Sequence, residues 1–418
     1  MTGWVAMTHR PAYAAQMSVL RARLRRAAVK RVRQRHPWVF DQSITHLSRE
    51  GEPGETVVLY DDKRKQIGLG LYDPKSPIRV RVMHHGGPIS LDDAFFAQRL
   101  KAAWEAREPL LESDTDGYRV VHGENDGLGG LVVDRYASTL VVKLYSDVWW
   151  PRLDLVLRTL EEGMRPERIV LRLARNVAAH RAQDGDVVVG GPVDVHQGQH
   201  RVPFRENGLW FLADPIRGQK TGFFLDQRDN RMRVGDMSHG KRVLNVFSYS
   251  GGFSLYAARG GATEVVSLDL SQPALDDAER HFAANNDDNN VSRCIHRTVQ
   301  GDAFAEMRKL AQRDERFDVV VVDPPSFAKR ASEVEGALNS YRRLMRLALD
   351  LLEPDGRLVF ASCSSRVDKD AFCANALEGA EEAGARLVVD DVTGHAMDHP
   401  VGFAEAAYLK AMFCRRAL

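Results

Sequence analysis

Cysteine, long apolar runs and net charge are all scarce in this chain of 418 residues. The four cysteines form no Cys-x-x-Cys pair and have no histidine partners at zinc spacing, so we expect free thiols and no metal site. No apolar run approaches the length of a membrane span, and the first residues lack the order of a signal peptide. These absences argue against membrane, disulfide-rich and zinc-binding classes and favour a cytoplasmic protein of two or three domains.

The net charge of only +1 hides one strongly basic segment. Between Arg21 and Arg35 the chain carries eight basic residues and no acidic one. Such a block suits contacts with nucleic-acid phosphates, although a solvated face or a frayed terminus is an equal alternative. The candidate RNA contacts in this block, which would add salt-dependent affinity rather than specificity, are Arg31, Arg33 and Arg35.

The first half of the chain predicts two small domains and a connecting hairpin. Short strands at 56–60, 67–72 and 78–83, separated by Pro-Gly and Asp-Pro pairs, are typical of a small β-barrel. Strand-like runs at 130–134, 139–145 and 169–173, with a helix at 153–163, predict a middle α+β domain. Asn207-Gly208 between two apolar runs predicts a hairpin, because this pair supplies both positive-φ positions of a type I′ turn.

The second half alternates strands and helices regularly, which predicts right-handed crossovers and an α/β fold with a doubly wound, Rossmann-like parallel sheet. The predicted strands are 242–246, 264–269, 295–299, 317–322 and 356–361, with 386–390 and 407–414 closing the sheet. The predicted helices are 253–259, 272–285, 303–312, 341–352 and 369–383. The expected domains are a disordered or loosely packed extension (1–18), the barrel (19–88), the middle domain (89–200), a hairpin linker (201–221) and the Rossmann-like domain (222–418).

The first three strand ends of the predicted sheet indicate a cofactor crevice, because such sheets bind ligands beyond the carboxyl ends of their strands. A Gly-Gly pair after the first strand allows close approach of a ligand, but it is not the G-x-G-x-x-G of a dinucleotide site. Asp269 can accept ribose hydroxyls and Asp302 an adenine amino group, or each can cap a helix. Acidic residues in register at successive strand ends favour a ligand that contains adenosine but no phosphates, such as S-adenosylmethionine.

The next two strand ends carry a carboxylate and a thiol. Asp323 precedes two prolines after an apolar run that starts at Val319, and Cys363 lies among serines after the run 358–361. A thiol, a carboxylate and a stiff turn facing one crevice suit covalent chemistry on a flat heterocycle. Cys363 is the candidate nucleophile, with a buried core cysteine as the alternative. The residues expected to stack or pack against the base are Pro324, Pro325 and Phe327.

Nine motifs in a fixed order carry a resemblance that covers nearly the whole chain from about residue 19. They are HPWVF (36–40), GLGLY (68–72), ENDGLG (124–129), GQKTGFFLDQR (218–228), NVFSYSGGF (245–253), DPPSF (323–327), SCS (362–364), HPV (399–401) and YLK (408–410). The chain therefore resembles the class I S-adenosylmethionine-dependent ribosomal RNA methyltransferases with an N-terminal PUA domain, which make 5-methylcytosine in 23S rRNA. One departure is Ser326, where the family pattern has lysine.

The resemblance implies methyl transfer to C5 of a cytosine in 23S rRNA, with Cys363 adding to C6 and Asp323 orienting the base. It also implies that the loop before the sheet lines the cofactor, whereas the alternative is that Asp226 caps a helix and Phe223 and Phe224 pack in the core. The complete set of expected cofactor contacts is Lys220, Phe224, Asp226, Arg228, Phe247, Ser248, Tyr249, Ser250, Gly251, Asp269, Leu270, Asp302, Ala303 and Asp323.

Several alternatives stay open at this stage. The same fold supports methylation of uridine C5, which keeps the thiol, or of an exocyclic amine, which does not need it. A dinucleotide oxidoreductase lacks support from the glycine pattern. A non-catalytic RNA-binding or ribosome-assembly protein would retain the fold without turnover. The substrate is naked 23S rRNA or a large-subunit precursor, and the oligomeric state is open, with a homodimer as one alternative.

Overall fold

The computed structural model describes residues 19–179, 187–190 and 201–417. The predicted extension at 1–18 lies outside the described residues. The chain forms two compact units. The first contains the described residues up to 208, Ala213–Phe224 and Asp398–Gly402, and the second contains Leu209–Leu212, Leu225–Met397 and the chain from Phe403 onward. Within the described ranges, no helix is both long and apolar enough to span a bilayer.

The first unit begins with a six-stranded sheet of order β2-β6-β5-β4-β1-β3. Its elements are β1 (Leu20–Leu24), α1 (Arg26–Arg33), β2 (Trp38–Phe40), β3 (Ile44–Leu47), β4 (Thr56–Tyr60), β5 (Gln66–Tyr72) and β6 (Ile78–His85). The three strands predicted here are present as β4, β5 and β6. Helix α1 buries Ala28, Val29 and Val32 on one face, a spacing typical of an amphipathic helix, so the basic segment is ordered secondary structure.

The first unit continues with a five-stranded sheet of order β11-β10-β9-β8-β7. Its elements are α2 (Asp93–Glu105), β7 (Gly117–His122), β8 (Leu131–Tyr136), β9 (Thr139–Leu144), α3 (Leu153–Met164), β10 (Arg168–Leu173), α4 (Arg175–Ala178) and β11 (Val187–Gly190). Strands β9 and β10 are parallel and joined through α3. Phe96 and Trp149 are fully buried in this core, with ring centroids 5.5 Å apart.

A β-hairpin follows, formed by β12 (Val202–Glu206) and β13 (Leu209–Ala213). Its turn residues Asn207 and Gly208 have φ angles of 49° and 79°. Both are in the left-handed region, as a type I′ turn requires, which confirms the hairpin predicted from the Asn-Gly pair.

The second unit contains a seven-stranded sheet of order β16-β15-β14-β17-β18-β20-β19. Its elements are α5 (Arg228–Asp236), β14 (Arg242–Val246), α6 (Gly252–Arg259), β15 (Glu264–Asp269), α7 (Gln272–Ala284), α8 (Asn289–Arg293), β16 (Ile295–Gln300), α9 (Ala303–Gln312), β17 (Phe317–Val322), α10 (Val334–Leu351), β18 (Leu352–Ser362), α11 (Lys369–Glu382), β19 (Leu387–Thr393) and β20 (Lys410–Arg416). The first five strands of this order are parallel, which confirms the predicted doubly wound sheet.

The last two strands close the sheet in the antiparallel direction. The strand order reverses at β14, whose neighbours are β15 and β17, so the carboxyl ends of these strands meet at the switch point where such folds bind ligands. Several elements differ from the sequence prediction. Helix α8 was not predicted, no bounds were predicted for α5, α10 starts at Val334 rather than at Tyr341, and β18 starts at Leu352 rather than at residue 356.

Candidate active site

The loop between β14 and α6 turns tightly beyond the carboxyl end of the first parallel strand. Phe247, Tyr249 and Gly251 have φ angles of 61°, 48° and 74°, so left-handed residues alternate along it. Alternation of this kind folds the backbone into a concave turn. The Tyr249 amide donates to Oδ2 of Asp269 at 2.8 Å, and the Ser248 amide donates to the Leu268 carbonyl at 3.0 Å. The end of β15 thus fixes this loop.

Two buried polar atoms beside this loop have no hydrogen-bond partner among the described residues: Oγ of Ser248 and Oδ1 of Asn245. Both side chains are buried, at 6% and 1% exposure. A buried polar atom without a partner costs about 1–3 kcal/mol, so native proteins usually satisfy it. A polar ligand in the loop would supply the partners. The residues present therefore fit a bound S-adenosylmethionine, which Ser248 and the turn around it would hold.

The two acids predicted to contact the cofactor also have structural duties. Asp269 accepts backbone hydrogen bonds on both oxygens, from Tyr249 and from Ser271 at 2.9 Å. Asp302 caps α9 by accepting a hydrogen bond from the Ala305 amide at 3.0 Å, so it makes the helix-capping contact that was its alternative role. Each carboxylate oxygen can accept a second hydrogen bond, and cofactor contacts from both acids stay predictions.

His281, which was not predicted, also fixes this loop. Its Nδ1 donates to the Ser250 carbonyl at 2.8 Å, and its Nε2 accepts from the Leu212 amide at 2.9 Å.

Two further predicted cofactor contacts differ in exposure. Leu270 is 71% exposed, whereas Ala303 is buried.

The thiol and the carboxylate lie at the ends of adjacent parallel strands. Val322 of β17 is in register with Phe360 of β18, so Asp323 and Cys363 leave the sheet at the same edge. The Cys363 Sγ lies 3.8 Å from the Pro324 carbonyl oxygen, in the residue next to Asp323. Asp323 and Cys363 are both half-buried, as an acid and a nucleophile that meet a substrate must be. The structure thus brings the two predicted catalytic residues together.

The remaining predicted base contacts surround this pair. Pro324 is buried and Pro325 is exposed, so the second proline presents a flat apolar face. The centroid of the Phe327 ring lies 5.2 Å from that of the Tyr341 ring. Burial raises the pKa of the Tyr341 hydroxyl to about 12. Tyr341 in turn shares a hydrogen bond of 2.8 Å with the hydroxyl of Ser362, the last residue of β18.

A buried chain of polar side chains behind Asp323 was missed from the sequence. The amide of Gln227 donates to Oδ2 of Asp323 at 2.9 Å, the amide of Asn230 donates to Oε1 of Gln227 at 2.6 Å, and the Thr393 hydroxyl donates to Oδ1 of Asn230 at 2.6 Å. Gln227 and Asn230 are 4% and 2% exposed. Gln227 is the N-cap residue of α5 and Asn230 lies in its first turn, and their three-residue spacing, which places both on one face, is the only signal that the sequence offered.

The sequence also gave no role to Lys410, at the start of β20. Its side chain is 2% exposed, and its ammonium group donates to the carbonyls of Ser364 and Val367 and, at 3.3 Å, to that of Tyr408. Burial lowers the pKa of this lysine to about 8. A buried cation therefore lies against the segment that follows Cys363.

The predicted cofactor loop before α5 is divided between the two units. In the first unit, the Lys220 ammonium lies 4.5 Å from the centroid of the Phe224 ring, and Phe223 is buried with its ring 5.2 Å from that of Phe204. Phe223 therefore packs in the core, as the alternative for the two phenylalanines expected, whereas Phe224 is half-buried.

In the second unit, Asp226 is buried and its Oδ2 accepts from the Tyr408 hydroxyl at 2.8 Å. Helix α5 is capped at Gln227 without a side-chain hydrogen bond, so the alternative that Asp226 caps a helix is wrong. Arg228 is 1% exposed, and its Nε lies 3.4 Å from Oδ1 of Asp229. A contact from either residue to the cofactor stays a prediction.

The predicted RNA contacts differ in their surroundings within the first unit. Arg31 contacts the His36 ring nitrogen and lies 5.7 Å from the Phe40 ring, and Arg33 pairs with buried Asp61 at 2.7 Å. Arg35 follows α1 and is exposed. Of the three arginines, Arg35 is thus the one whose charge is best placed to meet a phosphate.

Comparison with known protein families matches two segments of the chain. Residues 22–85 match the family described as a PUA-like domain, which corresponds to β1–β6. Residues 119–415 match the family described as S-adenosylmethionine-dependent methyltransferase, a segment that includes the seven-stranded sheet except for Arg416, the last residue of β20.

Curated relatives match along almost the full chain. A ribosomal RNA large subunit methyltransferase from Deinococcus radiodurans is 47% identical over 403 residues, which cover 94% of this chain and 97% of the relative. Ribosomal RNA large subunit methyltransferase I from Escherichia coli strain K12 is 37% identical over 390 residues, which cover 92% and 96%. The protein of the same name from Photobacterium profundum is 38% identical over 389 residues, with the same coverage.

Solved structures share the fold at lower identity. The methyltransferase SMU.776 complexed with SAH superposes with a TM-score of 0.79 at 21% identity, covering 94% of this chain and 99% of that one. A SAM-dependent methyltransferase from Streptococcus mutans gives a TM-score of 0.78 at the same identity and coverage.

Proposed function

Because this chain belongs to the S-adenosylmethionine-dependent methyltransferase family and carries a PUA-like domain, we propose that it methylates C5 of a cytosine in 23S rRNA through a covalent bond from Cys363. The observation that carries the proposal is the position of the Cys363 thiol at 3.8 Å from the Pro324 carbonyl, beside Asp323. The relatives' names, ribosomal RNA large subunit methyltransferases, support the choice of RNA.

The thiol answers the main chemical difficulty of this reaction. C5 of a pyrimidine is too weak a nucleophile to attack a methyl group directly. The Cys363 thiolate forms a bond to C6, and the electron pair of the C5–C6 double bond then attacks the methyl carbon. S-adenosylmethionine, when bound, would supply that methyl group from its sulfonium, and the sulfur would keep the electron pair of the broken bond and leave as the neutral thioether of S-adenosylhomocysteine. A base then removes the proton from C5, the double bond re-forms, and the Cys363 thiolate leaves C6.

Asp323 is suited to hold the Watson–Crick edge of the base. Its carboxylate can accept a hydrogen bond from the exocyclic amine of cytosine and, when protonated, can donate to N3, where electron density accumulates on addition to C6. The hydrogen bond from Gln227 fixes one carboxylate oxygen, so the orientation of Asp323 is set before the base arrives.

The basic surface of α1 fits the docking of an RNA backbone. Phosphate contacts supply affinity without sequence specificity, so Arg31, Arg33 and Arg35 would hold the RNA while the pocket selects the base. C6 of a stacked base is inaccessible, and the target cytosine must therefore be unpaired or flipped into the pocket. A cytoplasmic location follows from this substrate as part of the proposal.

The test combines labelled S-adenosylmethionine, unmodified 23S rRNA and nucleoside analysis by mass. Wild type should place label in 5-methylcytidine, Cys363→Ala should place none, and Cys294→Ala should behave as wild type. Cys294 is a matched control because it is also a half-buried free thiol, and burial raises its pKa to about 11.

Other labelled products would each correct a different part of the proposal. Label in 5-methyluridine would replace cytosine by uridine. Label on an exocyclic amine that survives Cys363→Ala would overturn the covalent route. Label that appears only with a large-subunit precursor would show that the particle, not naked RNA, is the substrate. No label with either RNA would favour a non-catalytic RNA-binding protein.

A further inference from the structure

Lys410 is placed by the sheet next to the nucleophile. Across the antiparallel pair β18–β20, Lys410 is in register with Ser362, the residue before Cys363. Lysine is rarely buried unless its charge is compensated, yet this side chain is only 2% exposed. Lys410 lies at the edge of the sheet where Asp323 and Cys363 follow their strands, which suggests a role in the chemistry rather than in packing.

The ammonium group of Lys410 joins two separate parts of the chain. Of its contacts, two are the carbonyls of Ser364 and Val367, which belong to the segment after Cys363, and one is the carbonyl of Tyr408. A lysine has three N–H donors, so these carbonyls satisfy all of them. The cation therefore holds the backbone on the carboxyl side of Cys363 against β20.

The cost of burying this charge makes a purely structural role a poor explanation. An apolar side chain of similar volume often stabilises such a site as well as a buried ion does. The ionisable groups that act on Lys410 are Cys363, Asp368 and Cys373, and all three favour its charged form against the effect of burial. Since Coulomb interaction is mutual, the ammonium ion favours the thiolate of Cys363. The Asp323 carboxylate at the neighbouring strand end acts in the opposite direction, so the ammonium ion has to outweigh it.

We propose that Lys410 is a positioning residue for the nucleophile: its buried ammonium ion fixes the segment after Cys363 and stabilises the thiolate that adds to C6. This inference rests on the proposed covalent role of Cys363. The thiol proton leaves to solvent before the sulfur–carbon bond forms, and Lys410, which acts as the ammonium ion below its pKa of about 8, gives no proton to the substrate.

The test measures thiol reactivity directly, without RNA or cofactor. The rate of Cys363 alkylation by iodoacetamide is followed from pH 5 to pH 10 by peptide mapping, which separates this thiol from the other three cysteines. The variants are Lys410→Met, which removes the charge, and Lys410→Arg, which keeps it. Lys309→Met is the matched control, because Lys309 is an exposed lysine of α9 that pairs with Glu306.

In wild type, Cys363 should titrate below the ordinary thiol pKa of about 8.5 and well below Cys294 in the same sample. Lys410→Met should raise the apparent pKa of Cys363 by about one unit or more, which lowers its alkylation rate near pH 7 by about tenfold. Lys410→Arg should restore most of that reactivity, and Lys309→Met should match wild type. Alkylation of Cys294 should not change in any variant.

Two results would overturn the inference: a wild-type Cys363 that titrates at or above 8.5, or a folded Lys410→Met protein whose Cys363 titrates as in wild type. The wild-type measurement holds even if Lys410→Met does not fold. Failure of the proposed function is distinguishable, because a protein that makes no 5-methylcytidine can still show a Lys410-dependent thiolate.

Discussion

The side-chain amide of Gln227 donates a hydrogen bond of 2.9 Å to Oδ2 of Asp323. This contact links the N-cap residue of α5 to the residue that follows β17, almost a hundred residues further along the sequence. Behind it, Asn230 and Thr393 extend the chain of hydrogen bonds to β19. A buried amide thus holds one carboxylate oxygen of the acid that we propose to orient the base.

We expect Gln227→Leu to lower kcat by about tenfold to a hundredfold, because a carboxylate that can rotate no longer meets the base in one geometry. The KM for S-adenosylmethionine should change little. Steady-state methylation of 23S rRNA gives both constants, and Gln312→Leu, at an exposed glutamine at the end of α9, is the control. An unchanged kcat in Gln227→Leu would show that Asp323 does not depend on this amide.

The buried hydroxyl of Ser248 gives a prediction that separates cofactor binding from stability. It has no partner among the described residues, so Ser248→Ala should leave the melting temperature unchanged or slightly higher. If the hydroxyl contacts the cofactor, the Kd for S-adenosylmethionine should rise by about two- to tenfold, the value of one hydrogen bond. Calorimetry measures the Kd, and differential scanning fluorimetry measures the melting temperature.

Ser254→Ala is the matched control for this experiment. The Ser254 hydroxyl accepts from Asn245 at 2.9 Å and shares a hydrogen bond of 2.7 Å with Ser267, all three residues being buried. Its removal should cost about 1–3 kcal/mol of unfolding free energy. The opposite pattern, with Ser248→Ala destabilised and its cofactor affinity intact, would mean that Ser248 is a structural residue.

The parts of this structure that could be predicted from sequence are those with a strong local pattern. The strands β14, β15 and β17 were predicted to the residue, because buried parallel strands read as apolar runs bounded by turn residues. No bounds were predicted for helix α5, because its sequence, RDNRMRVGD, has no apolar stripe, although it buries Arg228 and Arg231. A polar helix that buries arginines contradicts the rule that a helix buries an apolar stripe, on which the helix predictions were based.

The candidate site divides in the same way. Asp323 and Cys363 were predicted because each follows an apolar strand, and parallel strands present their ends together. Gln227 and Lys410 were not, because their positions depend on contacts between distant segments: the antiparallel register of β18 and β20 places Lys410 opposite Ser362, the residue before Cys363. No local pattern in the sequence encodes such a pairing.

The arginines of the basic segment should contribute unequally to RNA affinity. Arg35→Gln should weaken binding of 23S rRNA fragments and reduce the slope of log affinity against log salt by about 0.7–0.9, the value for one phosphate contact. Arg33→Gln should have a smaller effect, since Asp61 already neutralises much of that charge at 2.7 Å. Filter binding at several salt concentrations measures the slope, with Arg308→Gln, at an exposed arginine of α9, as the control. Equal slopes in Arg35→Gln and wild type would remove Arg35 from the interface.

The lowered pKa of Lys410 also predicts how stability varies with pH. The folded state releases the Lys410 proton near pH 8, whereas the unfolded chain keeps it until near pH 10.5. Between these values the unfolded state binds more protons, so this lysine makes the free energy of unfolding rise with pH. In Lys410→Met that contribution disappears. From pH 8 to pH 10 the free energy of unfolding of the variant should therefore rise less, or fall more, than that of wild type. Lys143, whose pKa burial also lowers to about 8, is present in both proteins and cancels in the difference. Urea unfolding at half-unit pH steps gives the two curves, and parallel curves would mean that Lys410 is not a charge buried by folding.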